Sequence, residues 1–253
     1  MPHDLLSSLL PPTLVRRIDG RQPGEVALLT AKTLAHAARA LRPAARRARR
    51  ADAAFDRRWG TDTGGVVNLS ALDVARDRAL LGYGYQASSG QALREAVAAG
   101  GIAPERFAFV DYGSGKGRIV LLAAAVGFRR AIGVEFAPEL HRIAERNADR
   151  FLAAGGASRR AEPVLGDAGA FEPPPGPVFA YIYNSFGYPV LREALARLER
   201  RAAEGDEVVV AYVNPRCPEA FEDGGRWTAA AEGEGWALYR PNARSSPGAR
   251  RSV

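Results

Sequence analysis

The chain has 253 residues, 47% apolar and 25% charged, which is the balance of a globular protein with room for one or two domains. That balance excludes a disordered, collagen-like or low-complexity chain; no run of about 18 apolar residues offers a membrane span, and one cysteine, Cys217, with three histidines leaves neither an internal disulfide nor a His/Cys zinc site. The net charge of +7 is uneven: residues 1–58 hold 12 basic and 5 acidic residues, residues 240–253 hold four Arg and no acid, and the stretch between is net negative, so the core is not a basic surface built for nucleic acid.

Residues 1–18 lack a basic start, and Pro11 and Pro12 cut their short Leu-rich patch, so they do not read as a secretory leader. The single thiol suits a reducing, cytoplasmic setting. Residues 1–23 read as a loose entry. A helical pattern runs over 25–50, with Leu34, Ala38 and Leu41 on one face, Pro43 set to kink or divide it, and a cationic end at Arg46, Arg47, Arg49 and Arg50. A basic amphipathic helix of this kind either covers its own core or docks on a membrane or partner. From 55 to 90 the chain is dense in glycine and aromatics: Phe55-Asp56, Trp59-Gly60-Thr61-Asp62-Thr63-Gly64-Gly65, then Gly82-Tyr83-Gly84-Tyr85. This is the composition of a loop-rich cap or a ligand-side segment. Ser88-Ser89-Gly90 leads into a short helix over 91–99.

After residue 107 strands and helices alternate. Strands are predicted over 107–112, 131–135, 163–165, 178–183 and 207–213; helices are predicted over 119–126, from Pro138 to the pair Gly155-Gly156, and over 190–198. Segments 227–232 and 236–240, split by Gly233 and Gly235, read as a closing hairpin, and 241–253 as a tail too polar to fold. The alternation predicts an α/β fold with a parallel sheet covered on both faces. No internal repeat is visible.

The strongest chemical signal is Asp111-Tyr112-Gly113-Ser114-Gly115-Lys116-Gly117, placed after a predicted strand and before a helix. Glycines there let the backbone turn sharply and approach a ligand, and the helix start behind them offers free N–H groups. A dinucleotide loop, G-x-G-x-x-G, would need glycine where Arg118 stands, and the phosphate loop G-x-x-x-x-G-K-[ST] is absent. The next strand ends in Gly133-Val134-Glu135, 22 residues after Gly113, where an acid can accept hydrogen bonds from two ribose hydroxyls. The third ends in Gly166-Asp167-Ala168 and the fourth in Tyr183-Asn184-Ser185-Phe186.

This series resembles the class I S-adenosylmethionine (SAM) methyltransferases. The resemblance implies a Rossmann-like fold with a mostly parallel seven-stranded sheet, helices on both faces and a C-terminal hairpin. It also implies SAM as cofactor. By it, Gly113, Ser114, Gly115 and Gly117 lie against the cofactor, Asp111 near its methionine end, Glu135 at its ribose and Asp167 at its adenine amino group. Asn184 stands between cofactor and acceptor. Over residues 55–215 the strings F-D-x-x-x-G-x-D-T, V-D-x-G-S-G-K-G-R and Y-N-x-F are similar to a group of bacterial methyltransferases. More distantly, the chain is similar to histone lysine methyltransferases of the telomeric-silencing-disruptor type, which would put Ser88 and Ser89 at the methionine end. Ala168 stands where an aromatic commonly covers adenine, and a histone substrate does not follow. The amino-methyltransferase motif (D/N)PP(Y/F) is matched only in part, since neither proline is present.

The expected organisation is therefore an Arg-rich helical extension over 1–54, a cap or substrate-side segment over 55–100, the SAM-binding domain over 101–240 and a basic tail over 241–253. Methyl transfer needs alignment and exclusion of water more than a strong catalytic group, and no residue reads as a base. Tyr183, Phe186, Tyr85, Ser88 and Ser89, with Asn184, are the candidates on the acceptor's side. His141 falls on the helix after the second strand, in a surface or structural role. Lys116 either projects to solvent or holds an acid. The acceptor is a small molecule or a protein side chain. The alternatives are an RNA or other nucleic-acid methyltransferase using the Arg-rich ends on phosphates, a nicotinamide oxidoreductase, and a non-catalytic SAM-fold binding module.

Overall fold

A computed structural model of the chain describes residues 43–67, 85–86, 90–184 and 186–242. The entry at 1–23, the helical pattern before Pro43 and the tail beyond 242 lie outside the described residues. The chain divides into Met1–Arg50 and Ala51–Val253. Helix α1 (Pro43–Trp59) runs across that division, with Pro43 as its first residue, where the missing N–H leaves no helical bond unmade. The sequence places the start of a loop-rich segment at Phe55, but Phe55, Asp56 and Trp59 form the last turn of α1. Nothing between Ala44 and Trp59 breaks a helix, and Gly60 (φ +67°) ends it. A boundary at 54/55 thus falls within a helix. A two-residue ladder follows, β1 (Val66–Val67) against β2 (Tyr85–Gln86), antiparallel.

The seven-stranded sheet is built from β3 (Ala108–Tyr112), β4 (Arg130–Glu135), β5 (Glu162–Leu165), β6 (Val178–Tyr183), β7 (Val208–Val213), β8 (Trp227–Gly233) and β9 (Trp236–Pro241). Their order is β5-β4-β3-β6-β7-β9-β8. The first five are parallel; β9 runs antiparallel to β7, and β8 antiparallel to β9. The near-continuous apolar runs of β3, β6 and β7 are the mark of strands covered on both faces, and every residue of β3 and β7 is buried. Alternation sends Phe109, Phe179, Tyr181 and Val209 to one face, under α2 (Gln91–Ala99), α3 (Arg118–Val126) and α4 (Pro138–Ala153). Val110, Tyr112, Ile182 and Val210 point to the other, under α5 (Tyr188–Ala203) and the short α6 (Glu219–Glu222). Helix α5 outruns its predicted 190–198 because the apolar stripe ends at Leu198 while good helix formers continue to Ala203, before Gly205 (φ +100°). Trp236 Nε1 donates to Glu95 Oε2 at 2.8 Å, fixing α2 to the hairpin.

The order places the functional end. From β3 the chain moves outward through β4 to β5, then returns to β6 beside β3 and moves the other way. The sheet reverses between β3 and β6, and ligands of open α/β sheets bind outside the carboxyl ends of strands at such a point.

One close approach holds the first turn there. A Cβ on Gly133 of β4 would lie 2.6 Å from Val120 Cγ2, 2.8 Å from Ser114 Oγ and 2.9 Å from Ser114 Cβ. Gly133→Ala is therefore expected to cost about 1–3 kcal/mol of stability by overpacking. Gly166→Ala, whose nearest neighbour would be Val134 Cγ1 at 4.0 Å, is expected to stay within about 0.5 kcal/mol. Urea denaturation of the two variants checks the contrast.

Candidate active site

The glycine loop leaves β3 at Tyr112 and enters α3 at Arg118. The N–H groups of Gly113 and Ser114 both donate to the Val134 carbonyl, at 2.9 and 3.0 Å, and that of Gly117 donates to the Ser114 carbonyl at 2.9 Å. Gly115 N–H donates to Glu135 Oε2 at 2.8 Å, while Glu135 Oε1 accepts from Ala137 N–H at 2.9 Å. The buried Glu135 carboxylate thus clasps the loop to the end of β4. Positive φ at Gly113, Gly115 and Gly117 (84°, 55° and 85°) gives the chemical reason for glycine at alternate positions. Ser114 turns its side chain down over Gly133, and its buried Oγ has no hydrogen-bond partner among the described residues.

Two acids lie buried at this end, Asp111 at 3% exposure and Glu135 at 4%. Burial, reinforced by the nearby Glu135 charge, holds the Asp111 carboxyl well above the usual carboxylate range. Burial also raises Glu135, against the pull of the Ala137, Gly115 and Phe136 N–H groups. No Lys or Arg among the described residues pairs with either acid. The two buried cations of the loop are engaged elsewhere: Lys116 Nζ donates to Asp62 Oδ1 at 2.8 Å and to the Gly64 carbonyl at 3.0 Å, and the Arg118 guanidinium lies 4.7 Å from the Phe55 ring centroid. Of the two readings for Lys116, the structure shows the one that holds an acid.

Asn184 caps β6 with φ +41°, a left-handed conformation that asparagine tolerates better than most residues. It is buried, and its Oδ1 has no hydrogen-bond partner among the described residues. Tyr183 and Phe186 do not join it on one wall. Tyr183 is half-buried and packs toward the α2 and α3 face, while Phe186 is buried on the α5 face. Asp167, at the end of β5, spends Oδ1 on the Gly169 N–H at 2.9 Å in a local turn. Ala168 is buried in the core on the α5 face. Tyr85 pairs with Val67 through its backbone; its side chain, with Ser88, Ser89 and Ser185, lies outside the described residues. His141 sits near the start of α4, with Nε2 3.6 Å from Glu145 Oε1. The structure therefore joins the 113–117 loop and Glu135 in one hydrogen-bonded unit, buries Asp111 near the Glu135 charge, places Asn184 at the neighbouring strand tip, and leaves Asp167 two strands away from β3.

Sequence reasoning passed over Asn147 and gave Gly133 no packing role. Asn147 is 1% exposed and meets the loop directly, its Nδ2 donating to the Lys116 carbonyl at 3.0 Å. The signal was present: Asn147 interrupts an apolar stripe of Leu140, Ala144, Ala148 and Phe151, and a buried amide in such a stripe has to be hydrogen-bonded.

No family model matches this chain, and no curated protein does either. Among solved structures, it is similar to an RNA methyltransferase from Salinibacter ruber in complex with S-adenosyl-L-homocysteine, at 25% identity over 63% of this chain and 95% of that one, with a TM-score of 0.42. It is also similar to a TehB-like SAM-dependent methyltransferase from Corynebacterium glutamicum, at 17% identity over 60% and 95% of the two chains and a TM-score of 0.38. A magnesium protoporphyrin IX methyltransferase from Synechocystis with bound SAM matches at 15% identity over 59% and 76%, with a TM-score of 0.39. The chain has the Rossmann-like class I methyltransferase fold: its own sheet shows five parallel strands reversing at the first, closed by an antiparallel hairpin.

The raised Asp111 carboxyl has a measurable consequence. Its pKa is higher folded than unfolded, so the folded chain keeps a proton that the unfolded chain has released. Stability from this group falls as the pH climbs from the ordinary carboxylate range through the folded pKa. Asp111→Asn removes the titrating carboxyl at constant shape, so that neither state binds or releases a proton there. It is expected to raise the urea midpoint at pH 7 and to flatten the decline of stability with pH. Denaturation curves taken between pH 4 and pH 8 read both effects; a lower midpoint at pH 7 with the slope intact contradicts the assignment.

Proposed function

We propose that this chain is a SAM-dependent methyltransferase acting in the cytoplasm on a small molecule or a protein side chain. One observation carries the reading: the loop is closed to phosphate and open to a cation. Four of its five N–H groups, at 113, 114, 115 and 117, donate within the protein, and Gly115 donates to a carboxylate. A nicotinamide dinucleotide needs such groups for its pyrophosphate. This site instead offers two buried acids without a cation and a buried amide oxygen without a hydrogen-bond partner among the described residues. Those suit a ligand that bears an ammonium, hydroxyls and a sulfonium.

The residues fit SAM in the following roles. The Gly115 and Ala137 N–H groups leave Glu135 an acceptor site for ribose hydroxyls. Asp111 offsets the ligand's ammonium, and Gly113 and Gly117 let the backbone come close. Asp167, in the turn after β5, stands at the adenine end. Bound there, SAM supplies a methyl group on a sulfonium, an electrophile that needs no activation by the protein. The chain's work is to hold the acceptor in line and keep water out. Asn184 does this with an amide that both donates and accepts, and Tyr183 with a half-buried ring. Among the described residues no helix is long and apolar enough to cross a membrane, and the lone Cys217 fits a reducing compartment.

Calorimetric titration with S-adenosylhomocysteine and with NADH separates this reading from the oxidoreductase one. Binding of neither would favour a protein without this cofactor chemistry. Transfer of tritiated methyl groups to lysate protein, RNA and small-molecule fractions then identifies the acceptor class. An RNA acceptor would show as steeply salt-dependent binding that disappears when residues 1–50, the first of the two units, are removed.

Two variants assign roles. Glu135→Ala strips the hydroxyl acceptor and is expected to weaken S-adenosylhomocysteine binding by about 1–3 kcal/mol, roughly five- to 150-fold. Asn184→Gly keeps the left-handed backbone and removes the amide. Turnover should fall at least about tenfold, near 1.4 kcal/mol, with melting temperature and S-adenosylhomocysteine affinity held. A lower melting temperature with normal turnover would make Asn184 a sealing residue only.

A further inference from the structure

The string F-D-x-x-x-G-x-D-T, residues 55–63, precedes the glycine loop by some fifty positions and has no role assigned above in holding cofactor or acceptor. Its contacts form a knot. Asp56, on the last turn of α1, accepts from Thr61 Oγ1 at 2.8 Å, Thr63 Oγ1 at 2.8 Å and Thr63 N–H at 2.9 Å on one oxygen, and from Gly64 N–H at 2.9 Å on the other. Burial opposes the Asp56 charge, but the Thr63, Thr61 and Gly64 donors outweigh it and hold the carboxyl below its ordinary value. The 60–64 turn is thereby closed on itself. Thr63 is fully buried and Thr61 nearly so.

The closed turn is then attached to the glycine loop at two points. Asp62 donates its N–H to Asn147 Oδ1 at 2.8 Å and accepts from Asn147 Nδ2 at 2.9 Å, while the same Nδ2 donates to the Lys116 carbonyl at 3.0 Å. One buried amide thus spans turn, helix α4 and loop. Lys116 supplies the second attachment through Asp62 Oδ1 and the Gly64 carbonyl. Phe55 and Trp59 anchor the near end, their ring centroids 5.9 and 4.9 Å from that of Phe151. Arg150 Nη1 donates to the Gly60 carbonyl at 3.1 Å.

We propose that residues 56–64 are a strap that fixes the glycine loop in its ligand-binding shape, with Lys116 and Asn147 as its positioning residues. Three consecutive residues divide the work. Gly115 reaches Glu135, Lys116 reaches the strap, and Gly117 opens α3. A loop with glycine at every second position has no stiffness of its own and loses much conformational freedom when it is ordered. Ordering it beforehand, by tethers to the protein itself, strengthens binding by cutting the entropy lost when the ligand arrives. The strap also disposes of a charge. A lysine in a loop that receives a cation would repel it; Asp62 and the Gly64 carbonyl draw the ammonium away from the two buried acids. The strap rests on the methyltransferase reading only for what the loop binds.

The test uses the full chain and three variants: Lys116→Met, Asp62→Ala and the pair combined. S-adenosylhomocysteine affinity is measured by calorimetry well below the melting temperature, alongside the melting temperature itself. Lys116→Met and Asp62→Ala should each weaken binding fivefold or more, and the double variant no more than the worse single, because both cut one link. Unchanged affinity with a lowered melting temperature overturns the proposal, since a strap that only stabilises the fold gives that pattern. Asp62, whose side chain is 60% exposed, keeps the test open if Lys116→Met does not fold. Should the unaltered protein bind no S-adenosylhomocysteine, the methyltransferase reading fails, and amide hydrogen exchange then decides the strap alone. Exchange at Gly115 and Gly117 should quicken tenfold or more in Asp62→Ala; equal rates overturn the strap as well.

Discussion

The Glu135 carboxylate is the constraint on which the binding end of this protein depends. It sits at the tip of β4, buried, and both of its oxygens accept backbone N–H groups, one from the glycine loop and one from the entry to α4. A single side chain thereby sets the height of the loop above the sheet and the start of the helix that follows. The contact requires the loop to come down over β4, and Gly133 allows this by offering no Cβ to Ser114 and Val120. Remove the clasp and nothing else among the described residues holds the Gly115 N–H.

The same arrangement explains the uneven charge of the site. Two carboxyl groups are taken out of water without a lysine or arginine among the described residues, which the fold tolerates by holding Asp111 toward its neutral form and by hydrogen-bonding Glu135. The cations that sequence places in the same loop are led away, Lys116 to Asp62 and Arg118 to the Phe55 ring. A protein selected for stability alone would pair acid with base here. Keeping them apart leaves two acids buried side by side at the strand tips, at a cost to the stability of the fold.

The sheet behind the site is mostly apolar, with Asp111 and the Tyr112 hydroxyl as buried polar groups of β3. Its faces are filled by alternate side chains of β3, β6 and β7, and its hairpin is joined to α2 through Trp236 and Glu95. Rigid strands ending at one level let short, strained segments stand on their tips. The left-handed Asn184 is one, and the glycine loop another.

The sequence by itself determined the order and kind of nearly every element from residue 91 to 241, because strands buried on both faces are written as unbroken apolar runs and the connecting turns carry glycine or proline. It also carried the glycines of the 113–117 loop, since a tight turn between strand and helix with positive φ admits few other residues. It did not carry the last turn of α1, where aromatic and glycine density near Trp59 masked a helix that runs until Gly60. Nor did it carry the split of Tyr183 and Phe186 to opposite faces, or the meeting of Asp62, Lys116 and Asn147 from positions far apart in the chain. Local spacing fixes what a segment becomes, because the forces that choose helix or strand act over a few residues. Which polar side chains end up sharing a hydrogen bond is decided only when packing brings distant segments together and water is no longer there to satisfy them.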